Sequence, residues 1–388
     1  MRKRDSVSTT GAGDVGTTPV PATLRASADA TSRYASRFRD RYATDFFRPA
    51  LEALTISSLG FGTYLGECDE HDDERYATTM ARAIGAGINL IDTAINYRCQ
   101  RSERAVGTAL QRAIAAGAAD RESIVICSKG GYIPLADAPP ASREEYRSYL
   151  QREFFDTGVL DPDDVVAGGH SLAPSFLRHL IGRSRRNLGI RTIDLYYLHN
   201  PEQQAAAHTP QALRERLRAA FMVLEDAVGR GEIGAYGCAT WNAFRLPPGA
   251  KGHLSLAELV EIARDVAGEK HHFRAVQMPI NLAMPEALRV PTQPMGKRGS
   301  LVPALEAASS LGLTVIASAA LMQAQLARDL PPTVRTVFPD ARTDAQRALS
   351  FARSLPGLTA ALVGMRSEEH LEENLASGEW LVTRDAES

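Results

Sequence analysis

Cysteine is scarce in this chain, with four among 388 residues. Cys68, Cys99, Cys127 and Cys238 form no C-x-x-C pair. Neither a disulfide framework nor a zinc site is indicated, and each reads most simply as a small buried apolar residue. Net charge is also low, at −2, so no bulk field favours nucleic acid or an anionic membrane. No apolar run approaches the roughly 18 residues a membrane span needs. His170, His179, His271 and His272 lack metal-ligand spacing, which argues against a metal site. The N-terminus starts basic but carries no apolar segment of a secretory signal. Roughly its first 25 residues are rich in Ser, Thr, Gly, Ala and Pro and read as disordered. Residues 1–45 are therefore expected to be an extension and 46–388 the folded unit, in a cytoplasmic protein. Missing, finally, is a G-x-G-x-x-G turn that opens a helix, which a doubly wound dinucleotide fold would want.

What is present is an ordinary globular balance, 44% hydrophobic and 23% charged. Short apolar runs recur at SLGFGTYLG, NLIDTA, SIVICSK, DLYYLH, GAYGCAT, AVQMPI, TVIASA and ALVGM. They are too continuously apolar for half-exposed antiparallel strands and suit a parallel sheet covered on both sides. Amphipathic helical stretches separate them, several ending in Gly. Ser102 with Glu103, and Ser255 with Glu258, read as helix N-terminal caps. Eight strands alternating with eight helices predict an α/β fold, a (β/α)8 TIM barrel, with a long insertion after the third strand.

In such a barrel, active-site groups sit at the C-terminal ends of strands. Those ends carry Asp92 on the second strand, Lys129 on the third and His199 on the fourth, with Tyr97 just past the second. Taken singly, Asp92, His199 and Tyr97 have ordinary structural uses as a cap, a core imidazole and a packed ring, whereas Lys129 after a buried strand has no easy one. Together they suggest proton chemistry. A tyrosine with a pKa near 10 is a poor acid at neutral pH. A Lys ammonium beside it lowers that pKa, and a carboxylate holds the ammonium charged. A histidine donating to a carbonyl orients and polarises it. Such a set can protonate an alkoxide as it forms from a carbonyl. The hydride must come from a cofactor, usually a nicotinamide.

GINLIDTAINY, ICSKGG, IDLYYLHNPE and PGLTAALVGMRSEEHLEENLA, in this order over roughly residues 52–378, resemble the aldo-keto reductase superfamily. The resemblance implies a (β/α)8 barrel, NADPH (NADP+) bound without a Rossmann fold, and reversible carbonyl reduction of a small-molecule substrate. It places Asp92, Tyr97, Lys129 and His199 on the family's catalytic tetrad, with Tyr97 as general acid. It also assigns Gln277 to the cofactor carboxamide. GCATWN stands where the family has G-V-S-N, so Thr240 keeps a polar side chain there and Asn242 is a candidate substitute. Ser318 stands where an aromatic often stacks on the nicotinamide. Arg366 and Ser367 open the last helix at a position suited to phosphate. A cationic Arg366 favours NADPH over NADH. His370, Glu373 and Asn374 match adenosine positions.

Three segments are unusual. Residues 132–173 are too long for an ordinary βα loop and are expected to form a lid-like insertion at the catalytic face. Tyr146, Tyr149, Phe154 and Phe155 within it either line the pocket or pack the insertion onto the barrel, and His170 is a candidate neighbour of the pocket. The turn after Tyr97 is long, with Arg98 and Arg101 facing water or an anionic substrate. Met284–Arg298 is Pro-rich and basic and reads as a flap over the cofactor. The leading expectation is an NADPH-dependent aldehyde or ketone reductase. The alternatives are a cofactor-binding regulatory member of the same barrel, or a cyclase or dehydratase using Tyr97 and His199. Substrate, reaction direction and oligomeric state are written in none of these motifs.

Overall fold

Eight parallel strands close into a barrel: β1 Leu59–Gly62, β2 Leu90–Asp92, β3 Val125–Gly130, β4 Ile193–His199, β5 Ile233–Ala239, β6 Phe273–Pro279, β7 Thr314–Ser318 and β8 Ala360–Gly364. This computed structural model describes residues 25–296 and 299–382. The expected disordered start of the chain lies largely outside them. Each strand falls on one of the apolar runs above. Residues such as Leu90, Val125, Leu195, Tyr197, Ala275, Ile316 and Leu362 fill the barrel interior. Their continuous apolar character follows from burial on both faces.

The strands alternate with α1 Glu70–Gly85, α2 Arg101–Ala115, α3 Pro174–Leu188, α4 Pro210–Gly229, α5 Leu256–Ala267, α6 Ala304–Ser310, α7 Asp344–Ser354 and α8 Glu368–Ala376. Ser255 caps α5 by accepting from the Glu258 N–H, as its sequence suggested. Ser102 does not cap α2. It lies inside that helix, and its hydroxyl donates to the Thr63 carbonyl of the neighbouring loop at 2.8 Å.

An antiparallel hairpin, Phe47–Ala50 with Leu54–Ser57, closes the N-terminal end of the barrel. Its Ala50 and Ile56 join the interior cluster, and the Leu51 N–H donates to the Thr314 hydroxyl at the start of β7. A helix, Ala28–Ser36, packs beside it. The opposite end is left open to the βα loops. Among the described residues no helix is long and apolar enough to cross a membrane. Cys127 and Cys238 are fully buried, as small apolar residues would be. Cys68 departs from that expectation: it is half-buried, with its Sγ 3.2 Å from that of Cys99.

The insertion 132–173 begins and ends in register with itself. The Ile133 N–H donates to the Gly169 carbonyl and the Ser171 N–H to the Gly131 carbonyl, both at 2.8 Å. Between these ends a helix, Arg143–Leu150, continues into a wider turn to Phe155. Phe154 is fully buried with Ile95, Ile133, Phe176 and Leu180. Tyr149 is buried too, its hydroxyl donating to the Pro134 carbonyl. Phe155 and Tyr146 are partly buried in the same cluster. The four aromatics therefore act mainly as packing for the insertion. The expected flap folds as a hairpin, Pro291–Met295 with Ser300–Pro303, and Lys297 and Arg298 lie outside the described residues. Thr292 and Gln293 donate to the Phe244 carbonyl, so this hairpin packs onto the segment leading to α5.

Candidate active site

Asp92 ends β2 directly opposite Cys127 of β3, two residues short of Lys129. Adjacent parallel strands thus deliver a carboxylate and an ammonium to the same level of the barrel. Lys129 Nζ donates to Asp92 Oδ2 at 2.5 Å and to the Thr93 carbonyl at 2.9 Å. Both side chains are almost fully buried, at 1% and 5% exposure. Removing one partner of such a pair leaves an uncompensated buried charge, which costs about 3–5 kcal/mol. The other Asp92 oxygen accepts from Gln277 Nε2 at 2.9 Å. Gln277 therefore commits its amide nitrogen to the Asp92 carboxylate, a contact its sequence position did not suggest.

Lys129 Nζ lies 4.9 Å from the centre of the Tyr97 ring. The ring of His199 meets that of Tyr97 edge-on, with centroids 5.8 Å apart. All four expected catalytic residues converge at the open end of the barrel. Their ionisation differs in one respect from the sequence reading. Burial pushes the Tyr97 phenol above its ordinary value, and the Lys129 cation only partly offsets it. The phenol is therefore a firmly protonated acid. Burial alone would lower Lys129, yet Asp92 and Tyr97 outweigh it and hold the ammonium charged. Burial, with help from the Lys129 charge, drives His199 well below the usual histidine range. Its imidazole is neutral at pH 7.

Two further aromatics were not singled out from the sequence. Tyr64, just past β1, stands 59% exposed and meets the Tyr97 ring edge-on at 5.1 Å. The strand-end rule would have found it. Tyr132 opens the insertion, and its ring meets those of His170 and His199 edge-on, at 5.0 Å each. His170 is fully buried, and its Nε2 lies 2.8 Å from the His199 carbonyl. That oxygen can only accept, so Nε2 carries the proton. Nδ1 then accepts from Gln204 Nε2 at 2.8 Å. Burial lowers His170 to about 4. The insertion thus returns to the barrel by a latch on the last residue of β4.

The turn after Tyr97 is clamped rather than solvated. Arg98, Cys99 and Gln100 occupy left-handed backbone conformations in succession, with φ of 47°, 53° and 68°, a costly arrangement for residues with side chains. Arg98 is buried. It donates to the Glu67 carbonyl at 2.7 Å and to Asp73 at 2.6 Å. Arg101 pairs with the same Asp73 at 2.5 Å. Neither arginine is left to water, the outcome favoured by their polar sequence context.

The expected cofactor positions occupy two regions. Thr240 lies past the end of β5 and is buried, its hydroxyl without a protein partner. Asn242 donates its N–H to Glu202 at 3.3 Å. Ser318 ends β7 and is half-buried. In the second region, Ser367 caps α8 by accepting from the His370 N–H. Arg366 is partly exposed and pairs with Asp72 at 2.7 Å. Burial alone would raise Asp72, but the Glu67 N–H and the Arg366 guanidinium hold it below its ordinary value. His370 is exposed, Glu373 half-buried and Asn374 buried. Among the described residues, no group of three or more His, Cys, Asp and Glu could hold a metal.

Comparison with known proteins accords with this geometry. The family model "Aldo/keto reductase family" matches residues 58–247, which span β1 to β5 and include Asp92, Tyr97, Lys129 and His199. Over this stretch the chain is similar to the aldo/keto reductase family. A D-threo-aldose 1-dehydrogenase from a Pseudomonas species is 30% identical over 48% of this chain. The match spans 51% of that relative, about half its length. An uncharacterized oxidoreductase of Mycobacterium tuberculosis is 26% identical over 84% of this chain and 85% of its own. A crystal structure of an aldo/keto reductase from Klebsiella pneumoniae, in complex with NADP and acetate, shares the fold. Its TM-score is 0.57 at 19% identity, covering 88% of this chain and 92% of that one.

Proposed function

We propose that the protein is an NADPH-dependent oxidoreductase that reduces an aldehyde or ketone to the alcohol, with Tyr97 as general acid. The observation that carries this reading is the buried Lys129–Asp92 pair set against the Tyr97 ring, with a neutral His199 on its other side. The family-model match over residues 58–247 and the oxidoreductase names of the curated relatives support it.

The residues at the mouth fit a nicotinamide nucleotide. Thr240 Oγ1, Asn96 Oδ1 and His199 Nδ1 are buried there without a protein partner, and buried polar atoms call for one. Thr240, Gln277 and Ser318 would hold the nicotinamide end. Arg366, Ser367, His370, Glu373 and Asn374 would hold the adenosine and phosphate end, where the N-terminus of α8 offers free N–H groups. A guanidinium braced by Asp72 is pre-placed for a 2'-phosphate. Bound there, NADPH supplies the hydride that no side chain can provide.

The chain's own groups handle the proton. His199, neutral, donates an N–H to the substrate carbonyl oxygen and orients it. Tyr97 transfers its phenolic proton to the same oxygen as alkoxide character develops. Its raised pKa keeps the proton in place until then. Lys129 stabilises the phenolate left behind, and Asp92 keeps Lys129 charged and still. Gln277 fixes Asp92 in turn. The test is oxidation of NADPH, followed by the absorbance of the reduced nicotinamide, across a panel of aldehydes and ketones, with the alcohols identified. Alcohol formation in proportion to NADPH consumed is the expected result. A product formed equally well without cofactor would instead identify a cyclase or dehydratase.

A further inference from the structure

Cys68 and Cys99 are 31 residues apart in sequence, and no spacing rule pairs them. The barrel brings them together. Cys68 lies in the loop from β1 to α1, Cys99 in the loop from β2 to α2, and β1 and β2 are neighbours. Their sulfurs are 3.2 Å apart, against about 2.05 Å in a disulfide. Cys99 sits two residues past Tyr97, inside the left-handed run. Cys68 is two residues past Gly66, where an added Cβ would meet Asp72 Oδ2 at 2.6 Å, Arg98 Nε at 3.3 Å and Arg366 Nη1 at 3.4 Å. The pair therefore joins the loop that carries the proposed acid to the loop that braces the proposed phosphate site.

We propose that Cys68 and Cys99 form a reversible intramolecular disulfide that displaces Tyr97 and slows carbonyl reduction. Their accessibility differs in the way such chemistry requires: Cys68 is half-buried and open to an oxidant, while Cys99 is buried and adjacent. Burial and the neighbouring Cys68 push Cys99 up to about 12, so Cys99 is the resolving partner rather than the first to react.

With hydrogen peroxide as oxidant, the Cys68 sulfur attacks one peroxide oxygen, the O–O bond breaks, and a sulfenic acid and water form. The Cys99 sulfur then attacks the sulfenic sulfur. The S–O bond breaks, and the departing hydroxide leaves as water with the Cys99 proton. Two thiols and one peroxide give one disulfide and two waters, and a dithiol reverses the step. Closure needs the sulfurs to approach by about 1 Å. A misplacement of that size at a catalytic group costs up to roughly 100-fold.

The effect on turnover rests on the reductase reading, but formation of the bond does not. Reduced protein is treated with hydrogen peroxide, alkylated, digested and mapped by mass spectrometry, and kcat is measured before and after dithiothreitol. The expected result is a peptide linking Cys68 to Cys99 and a kcat about 10- to 100-fold lower, restored by dithiothreitol. Cys68→Ser and Cys99→Ser are expected to keep their basal kcat and to lose this response. Cys127 and Cys238 are fully buried and are expected to stay unmodified. Absence of the linked peptide, or its formation with kcat unchanged, overturns the proposal. So does a dithiothreitol-reversible loss that persists in Cys68→Ser. A reduced protein inactive with every carbonyl overturns the reductase reading alone, because the linked peptide is read without turnover.

Discussion

Replacing His170 by glutamine is expected to remove a large part of the protein's sensitivity to acid. His170 is wholly buried, with both ring nitrogens engaged in its neutral form. Burial lowers its pKa from 6.5 to about 4 in the folded protein. Between those values the unfolded chain binds more protons than the folded one, so stability rises with pH across that window. The contribution is complete above pH 6.5 and is lost as pH falls toward 4. A shift of this size corresponds to about 3 kcal/mol in full, of which about 2 kcal/mol is gone by pH 5. Other histidines are lowered too, His199 among them, so wild type must be compared with the variant. Urea denaturation followed by tryptophan fluorescence at pH 7 and pH 5 gives the difference directly. The stability advantage of wild type over His170→Gln is expected to shrink by about 2 kcal/mol between the two. An advantage that stays constant or widens toward pH 5 would refute the assignment of a neutral, fully engaged His170.

Gly131 has φ of +147°, and a Cβ there would meet His170 Nε2 and the His199 carbonyl oxygen, each at 2.8 Å. Gly131→Ala is expected to cost about 1–3 kcal/mol in urea denaturation and to lower kcat by displacing His199. Arg366→Ala removes the guanidinium proposed for the 2'-phosphate. The KM for NADPH is expected to rise by about tenfold or more while that for NADH stays nearly level. An equal rise for both coenzymes would deny Arg366 that role.

The barrel was legible because each strand is a run of apolar residues set off by turn residues, and parallel strands buried on both faces must read that way. The clustering of Asp92, Tyr97, Lys129 and His199 was legible for a related reason: polar residues at the ends of such strands have few structural duties. What escaped the sequence depends on contacts between distant segments. Gln277 meets Asp92 across the barrel mouth, and no local pattern marks that partnership. Arg98 looks like a solvated residue in RCQRSER, yet Asp73 and the Glu67 carbonyl draw it inward. The hairpin Phe47–Ala50 with Leu54–Ser57 has strands of four residues, one containing Pro49, too short for periodicity to show. The aromatics of the insertion carried no sign of which way they face, and the cluster around Phe154 settles them as packing. The cysteine pair exists only because β1 and β2 are neighbours.

The most direct test is Tyr97→Phe, which deletes one hydroxyl and leaves the ring between Lys129, His199 and Tyr64. NADPH binding, titrated by its fluorescence, is expected to change little. Carbonyl reduction is expected to fall by about 10²- to 10⁴-fold in kcat, the usual worth of a positioned general acid. A Tyr97→Phe protein that binds NADPH normally and reduces its carbonyl substrate at the wild-type rate would contradict the account.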